Sequence, residues 1–253
     1  LCNLLARMQN LTYQEVFDYI GIRIIQPFYE LRLRRLQELK LNDVIRRKNP
    51  YLFKAKNITT AQDFVTDILQ AHLSSQEETL FGSYLEELAV FICSKVFRGF
   101  KSSAPGIDLE FERNEKRYII TIKSGPNWGN STQIAKMLLD FQRAKRVLGA
   151  NSSITNIIAV NGCCYGKDNR PDKGEYLKYC GQMFWSFISG DDELYLKIIE
   201  PLGEQAKQRD EVFKEAYSKK VNILTGEFLN EFCVNGDIDW NKLLKFVSSQ
   251  NTV

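Results

Sequence analysis

Asp108 and Lys123 are the residues whose types and setting best suit a shared chemical task. Asp108 lies in Pro105-Gly106-Ile107-Asp108-Leu109-Glu110-Phe111, and Lys123 in Tyr118-Ile119-Ile120-Thr121-Ile122-Lys123-Ser124-Gly125. The first run alternates apolar and acidic residues, and the second is rich in β-branched and aromatic residues, so both read as strands. The polar segment Glu112 to Arg117 reads as the loop between them. A hairpin brings its outer ends side by side, which sets a carboxylate next to an ammonium at one sheet edge. A carboxylate holds a hard cation such as Mg²⁺, and a nearby lysine positions water or neutralises charge on a phosphate. Together they form the minimal equipment for metal-assisted phosphodiester hydrolysis. The plainer alternative is a surface ion pair across a hairpin.

The order Gly-Ile-Asp, polar turn, apolar strand, Lys-Ser-Gly resembles the PD-(D/E)xK nuclease superfamily. The longer phrases at 47–56 (Arg-Lys-Asn-Pro-Tyr-Leu-Phe-Lys-Ala-Lys), 123–131 (Lys-Ser-Gly-Pro-Asn-Trp-Gly-Asn-Ser) and 161–167 (Asn-Gly-Cys-Cys-Tyr-Gly-Lys) are similar to one group within it, the PmeII-like type II restriction endonucleases. The resemblance implies an α/β fold with a restriction-endonuclease-like core: a central mixed sheet flanked by helices, with helical N- and C-terminal additions. It implies Mg²⁺-dependent, sequence-specific cleavage of double-stranded DNA to 5′-phosphate ends. A homodimer and a cognate DNA methyltransferase are also implied, since palindromic sites mirror a two-fold protein. Asp108 would be the primary metal ligand. Lys123 would orient the attacking water or stabilise the phosphorane.

One position departs from the pattern. Two residues before the lysine the superfamily carries Asp or Glu, and this chain has Thr121. A neutral hydroxyl is a poor ligand for a hard cation. Three carboxylates compete for the vacant role. Gly82-x-x-x-Glu86 resembles the helix before the sheet in archaeal Holliday-junction resolvases, which nominates Glu86. Glu87 is its neighbour. Glu110 shares a strand face with Asp108 but lies about 7 Å further along, better placed for a second ion. The Thr121 hydroxyl or the Ile122 carbonyl lines the pocket, and the Ile122 carbonyl is a further candidate metal ligand. Thr121 also motivates a rival reading, a DNA-binding protein on a nuclease scaffold without turnover. A structure-selective nuclease is the further alternative.

Elements must position these groups. Residues 12–45 read as helical, with Pro27 breaking or restarting the run and a basic helix from Tyr29 to Arg46. A basic-aromatic loop follows, in which Arg47, Lys48, Asn49, Tyr51, Lys54 and Lys56 suit phosphate and base contacts. Asn49, before Pro50, should be extended. One helix is expected from Thr59 to His72, and a second, opened by Ser74-Ser75, from Glu77 to Phe97. The loop after Lys123 offers Asn127, Trp128 and Asn130 to DNA. Ser131 or Thr132 then caps a helix over 133–148 that carries Gln133, in a supporting role, and Lys136. Ile154 to Val160 reads as a buried strand joined to the hairpin through that helix. Asn161 to Tyr179 reads as a long DNA-facing loop with Lys167. Helices over 193–202, 204–220 and 221–232 close the chain, and Asp191-Asp192-Glu193 reads as a helix cap. The expected organisation is a helical N-terminal region with a basic DNA-contacting loop (1–75), a nuclease core (76–190) and a helical C-terminal region (191–253).

Composition narrows the function classes. Of 253 residues 44% are hydrophobic and 12% aromatic, enough for a substantial core and against disorder. The net charge of +3 permits nucleic-acid binding without arguing for it. No apolar run spans a bilayer and no signal-peptide pattern is present, so a cytoplasmic protein is expected. Six cysteines include no Cys-x-x-Cys pair, and Cys163, Cys164 and Cys180 with His72 fit no zinc spacing. A single histidine argues against Ser-His-Asp and Cys-His catalysis.

Overall fold

The computed structural model describes residues 11–150 and 156–250. In chain order the elements are α1 (Tyr13–Tyr19), a π-helical stretch (Ile20–Ile25), α2 (Gln26–Glu38), α3 (Leu41–Ile45), α4 (Pro50–Ala55), α5 (Ala61–Phe97), β1 (Leu109–Arg113), β2 (Lys116–Lys123), α6 (Ser131–Ala150), β3 (Ile157–Cys163), β4 (Leu177–Cys180), α7 (Gln182–Ser189), α8 (Leu194–Lys197), α9 (Ile199–Phe232), β5 (Cys233–Val234), β6 (Asp237–Ile238) and α10 (Trp240–Ser248). They group into two compact units, each made of two stretches of sequence. One comprises residues up to Ile25 with Phe81–Gln205, and the other Gln26–Leu80 with Ala206 onward.

The first unit contains the mixed sheet, ordered β1-β2-β3-β4. β1 and β2 are antiparallel, with Leu109 opposite Ile120 and Arg113 opposite Lys116. β3 runs parallel to β2, and β4 parallel to β3. The β1–β2 turn is tighter than the polar run suggests. The strands pair to its last two residues, leaving Asn114 and Glu115 at φ 53° and 60°. Two successive left-handed residues are what a two-residue hairpin loop requires, because that turn matches the strand twist.

Both faces of the sheet are covered, so β2 reads Tyr-Ile-Ile-Thr-Ile with all five residues buried. On one face Ile107, Ile119 and Ala159 pack with Met137, Phe141 and Ala144 of α6. The other face holds the stacked rings of Phe97, Phe111 and Tyr118, with Phe187 of α7 against the last two. Gly162 in β3 also sits against α7, where a Cβ would run into the fully buried ring of Phe184. Gly162→Ala is therefore expected to lose about 1–3 kcal/mol by overpacking. Urea denaturation checks this, and an unchanged midpoint would contradict it.

The second unit is a helical core in which Phe64, Phe228 and Phe232 pack with Val65, Ile68, Leu224 and Leu243. Phe64 stacks on Phe228 at 4.6 Å between centroids. Arg32 lies over the Phe213 ring, 3.5 Å from its centroid, and pairs with Glu77 and Asp210.

Several expected elements differ. The two helices anticipated over 59–97 are one, α5, of 37 residues. Ser74 and Ser75 are exposed within it and start nothing, and His72 and Gln76 bond across that turn at 2.8 Å. The basic loop contains the short helix α4. Asn49 is extended before Pro50 as expected, and its side chain caps α4 by accepting from the Tyr51 N–H. Pro27 occupies the second position of α2, and a π-helical stretch joins α1 to α2 across the anticipated break. The helix anticipated to Arg46 ends at Glu38, with α3 following. The long loop from Asn161 is shorter, because β3 runs to Cys163 and β4 begins at Leu177. Ile154 and Thr155 of the anticipated strand lie outside the described residues. The three C-terminal helices are largely one, α9. The expected side-chain cap is absent: Glu193 is the N-cap of α8, and Asp191 instead accepts from the Glu193 N–H at 2.9 Å and pairs with Lys197. Among the described residues no helix is long and apolar enough to cross a membrane.

Candidate active site

The open end of the β1–β2 hairpin gathers the expected groups. Asp108 precedes β1, and its N–H donates to the Ile120 carbonyl at 2.8 Å, which brings its side chain level with Thr121. The Ile122 N–H donates to Asp108 Oδ2 at 2.6 Å, and the Thr121 hydroxyl donates to the same oxygen at 3.3 Å. Two donors on one oxygen fix the carboxylate's orientation, and Oδ1 carries neither bond. Thr121 is 2% exposed. It therefore serves this chain as an internal support for Asp108 and does not stand in for the missing acid. Lys123 closes β2, with Nζ 5.4 Å from the centroid of Trp128.

Glu86 reaches this end from α5. Gly82, one turn earlier, lies against Ser124: a Cβ there would stand 3.5 Å from the Ser124 Cβ. The helix thus packs at ordinary contact distance on the strand end just past Lys123. The Glu86 carboxyl is held above the usual carboxylate range, first by burial and next by the negative charge of Asp108, against the opposing pull of Lys101 and Lys123. Lys101 Nζ is 3.7 Å from Glu86 Oε1. A carboxyl raised by burial and by a neighbouring carboxylate, with cations close by, is a recurrent mark of a functional site.

The other two carboxylate candidates are elsewhere. Glu87 is exposed on the flank where Tyr19 stacks on Phe91 at 4.0 Å, and Tyr19 donates to the Glu87 carbonyl at 3.5 Å. Glu110 is 2% exposed and engaged in structure. Arg117 donates to its Oε2 through Nε and Nη2 at 3.0 and 2.6 Å, and the Ser102 hydroxyl donates to Oε1. Glu110 was expected as a second-ion ligand, and in the structure Arg117 engages its Oε2 and Ser102 its Oε1. Glu110→Ala should destabilise the fold by about 1.5–3 kcal/mol, because it removes the charge-assisted bonds of a partly buried guanidinium that keeps Glu112 at 3.9 Å. Chemical denaturation reads this, and a loss below about 1 kcal/mol would contradict it.

The comparisons with known proteins now bear on this geometry. The family profile of type II restriction endonuclease EcoO109I matches residues 14–210. The chain belongs to that family. It is thereby a restriction endonuclease, a DNA-cleaving hydrolase, and its four-stranded mixed sheet flanked by helices is a restriction-endonuclease-like α/β fold. No curated protein matches the chain.

Within this member of the EcoO109I family, the residues expected to touch DNA fall into separate settings. In the second unit Arg47 and Tyr51 are exposed and Lys48 half-buried. Burial, followed by the charges of Lys48 and Arg47, holds His72 below the usual histidine range. Lys56 pairs with Asp67 at 3.0 Å, and Lys54 lies over Trp240. In the first unit Asn127 and Lys167 are exposed, and Lys136 pairs with Asp140 at 2.8 Å.

Three residues are occupied internally. Asn130 and Gln133 cap α6 reciprocally, each side-chain oxygen accepting from the other's backbone N–H at 3.0 and 2.9 Å. Asn130, not Ser131 or Thr132, is thus the cap, and Gln133 is bound to that task. The Trp128 indole N–H donates to Asn161 Oδ1 at 3.1 Å, which makes the ring part of the sheet edge and not a free wedge for a base step.

Sequence reading overlooked Lys101, Tyr165 and Asn161. Tyr165, 60% exposed, lays its ring on Gly125, where a Cβ would collide with it. The Asn161-Gly-Cys-Cys phrase was itself the signal for two of them.

Among the described residues no three Asp, Glu, His or Cys side chains form a metal-binding group. The donors present suit Mg²⁺ nonetheless. It is held by one or two carboxylates and keeps several waters. Asp108, with Oδ1 uncommitted by its strand bonds, and Glu86 would supply those carboxylates.

Proposed function

We propose that the chain is a type II enzyme making Mg²⁺-dependent, sequence-specific double-strand breaks in DNA. The observation that carries this is the Asp108 carboxylate held by the Ile122 N–H and the Thr121 hydroxyl at the open end of the hairpin, with Glu86 of α5 near enough to feel its charge. When bound, Mg²⁺ would polarise the scissile phosphate and ease deprotonation of water. The chain's own contribution is positional. Ile122 and Thr121 aim the Asp108 carboxylate, and α5 packs at Ser124, next to Lys123, and carries Glu86 one turn on. The Lys123 ammonium orients the attacking water and offsets charge growing on the phosphate. In-line attack would leave a 5′-phosphate and a 3′-hydroxyl. Within type II enzymes the phrases at 47–56, 123–131 and 161–167 favour the PmeII-like group. A homodimer reading a palindromic site, with a cognate methyltransferase, fits this reading. The segment 76–190 would then be the nuclease core.

Thr121 favours a second reading, binding without turnover. Incubating plasmid and linear DNA with the purified chain and Mg²⁺ separates the readings. Discrete fragments are the expected result. End-dependent degradation would favour a structure-selective nuclease, and binding without cutting a scaffold without turnover.

A further inference from the structure

We infer that Asn161 is a positioning residue that couples the two halves of the site, anchoring the Trp128 ring beside Lys123 while bracing the strand that supports Asp108. This rests on the reading of Asp108 and Lys123 as the catalytic pair.

Asn161 sits in β3 opposite Thr121 and is 1% exposed. Its neighbours Ala159 and Val160 are apolar and buried. An apolar residue would fill this place without the cost of burying an amide. The amide is retained because each of its ends has a partner. Oδ1 accepts from the Trp128 indole N–H at 3.1 Å and from Cys163 Sγ at 3.8 Å. Nδ2 faces the Thr121 carbonyl at 3.5 Å.

The orientation is not arbitrary. An indole nitrogen only donates, so Oδ1 must face Trp128 and the amino group must face the strand carbonyl. From Asn161 one route runs through Trp128 to Lys123, whose Nζ lies 5.4 Å from the ring centroid. A ring face attracts an ammonium and narrows the freedom of a four-bond side chain. The other route runs through Thr121, whose hydroxyl bonds Asp108. A single buried amide therefore sets the spacing between the carboxylate's support and the lysine's.

The test uses Asn161→Ala, Trp128→Phe and the double variant, with three measurements. These are single-turnover cleavage in Mg²⁺, DNA affinity in Ca²⁺, and the indole N–H resonance of Trp128. Each single variant should slow cleavage roughly 10- to 100-fold, the scale of small misplacements at a reacting centre. DNA affinity should change less than about two-fold, since phosphate contacts elsewhere supply it. The double variant should be no slower than the slower single, because both cut one connection. In Asn161→Ala the indole resonance should move and exchange faster with solvent. Multiplicative losses, or wild-type cleavage by Asn161→Ala, would overturn the inference. Should Asn161→Ala fail to fold, Trp128→Phe, which removes the indole N–H and leaves a smaller aromatic face, decides alone: an unchanged rate overturns the coupling. Should the wild type itself not cut, the nuclease reading fails, and an indole resonance unmoved by Asn161→Ala overturns the anchor as well.

Discussion

Asp108→Asn and Lys123→Met are each expected to cut DNA at least about 10²- to 10³-fold more slowly than the wild type, the scale of losing a principal charge at a transition state. Both substitutions keep the shape of the site. An asparagine at 108 still offers an oxygen to the Ile122 N–H and the Thr121 hydroxyl, so the open end of the hairpin stays closed. What it lacks is the negative charge that a hard cation requires. A methionine at 123 retains an apolar stem against Trp128 and loses only the ammonium. Gel-shift affinity should fall little, and the salt dependence of binding should ease by at most about one unit for Lys123→Met. Time courses on linear DNA give the rates. Near-wild-type cleavage by either variant would show that the charge acts elsewhere.

Glu86→Gln should separate activity from stability. Cleavage is expected to fall about 10²-fold or more, because a neutral amide replaces one of two carboxylates. In EDTA, by contrast, the variant should melt higher at neutral pH, by roughly 2–4 °C. The sign follows from the raised Glu86 carboxyl, shifted first by burial and then by Asp108. A carboxyl raised by the fold contributes stability that is fully present below its unfolded value, near 4.3. That contribution is lost as pH rises through the folded value. The wild type therefore carries a strained charge at pH 7 that the amide removes, and the difference should close as pH falls towards 4. Thermal melts from pH 4 to 8 check this. A variant that melts lower than the wild type at pH 7 would mean that Glu86 stabilises the fold, as an ordinary ion pair with Lys101 would.

The hairpin was legible because strand alternation and turn chemistry are local signals, and it sets Asp108 against Thr121 and Ile122, just before Lys123. Glu86 was nominated by the likeness of Gly82-x-x-x-Glu86 to a resolvase helix, and the structure sets it where the charge of Asp108 reaches it. Glu110 misled for a physical reason. Alternation does place it on Asp108's face, but pairing with Arg117 depends on the register across the turn, which a polar run does not reveal. The break at Ser74-Ser75 failed because cap chemistry at helix ends and exposed serines within a helix look alike in one dimension. Tertiary packing of Leu69, Leu73 and Leu88 carries α5 through. Asn161 was missed because its bond to Trp128 spans 33 residues, a contact with no local signature.

The most direct test of the central claim is calorimetric titration of the DNA-free protein with Mn²⁺, a probe for the Mg²⁺ site. The account predicts that wild type, Glu87→Gln and Glu110→Gln bind the ion alike, whereas Asp108→Ala and Glu86→Gln lose at least about ten-fold in affinity. Wild-type affinity in Glu86→Gln, or its loss in Glu110→Gln alone, would contradict the assignment of Glu86 as the acid that replaces the one missing at Thr121.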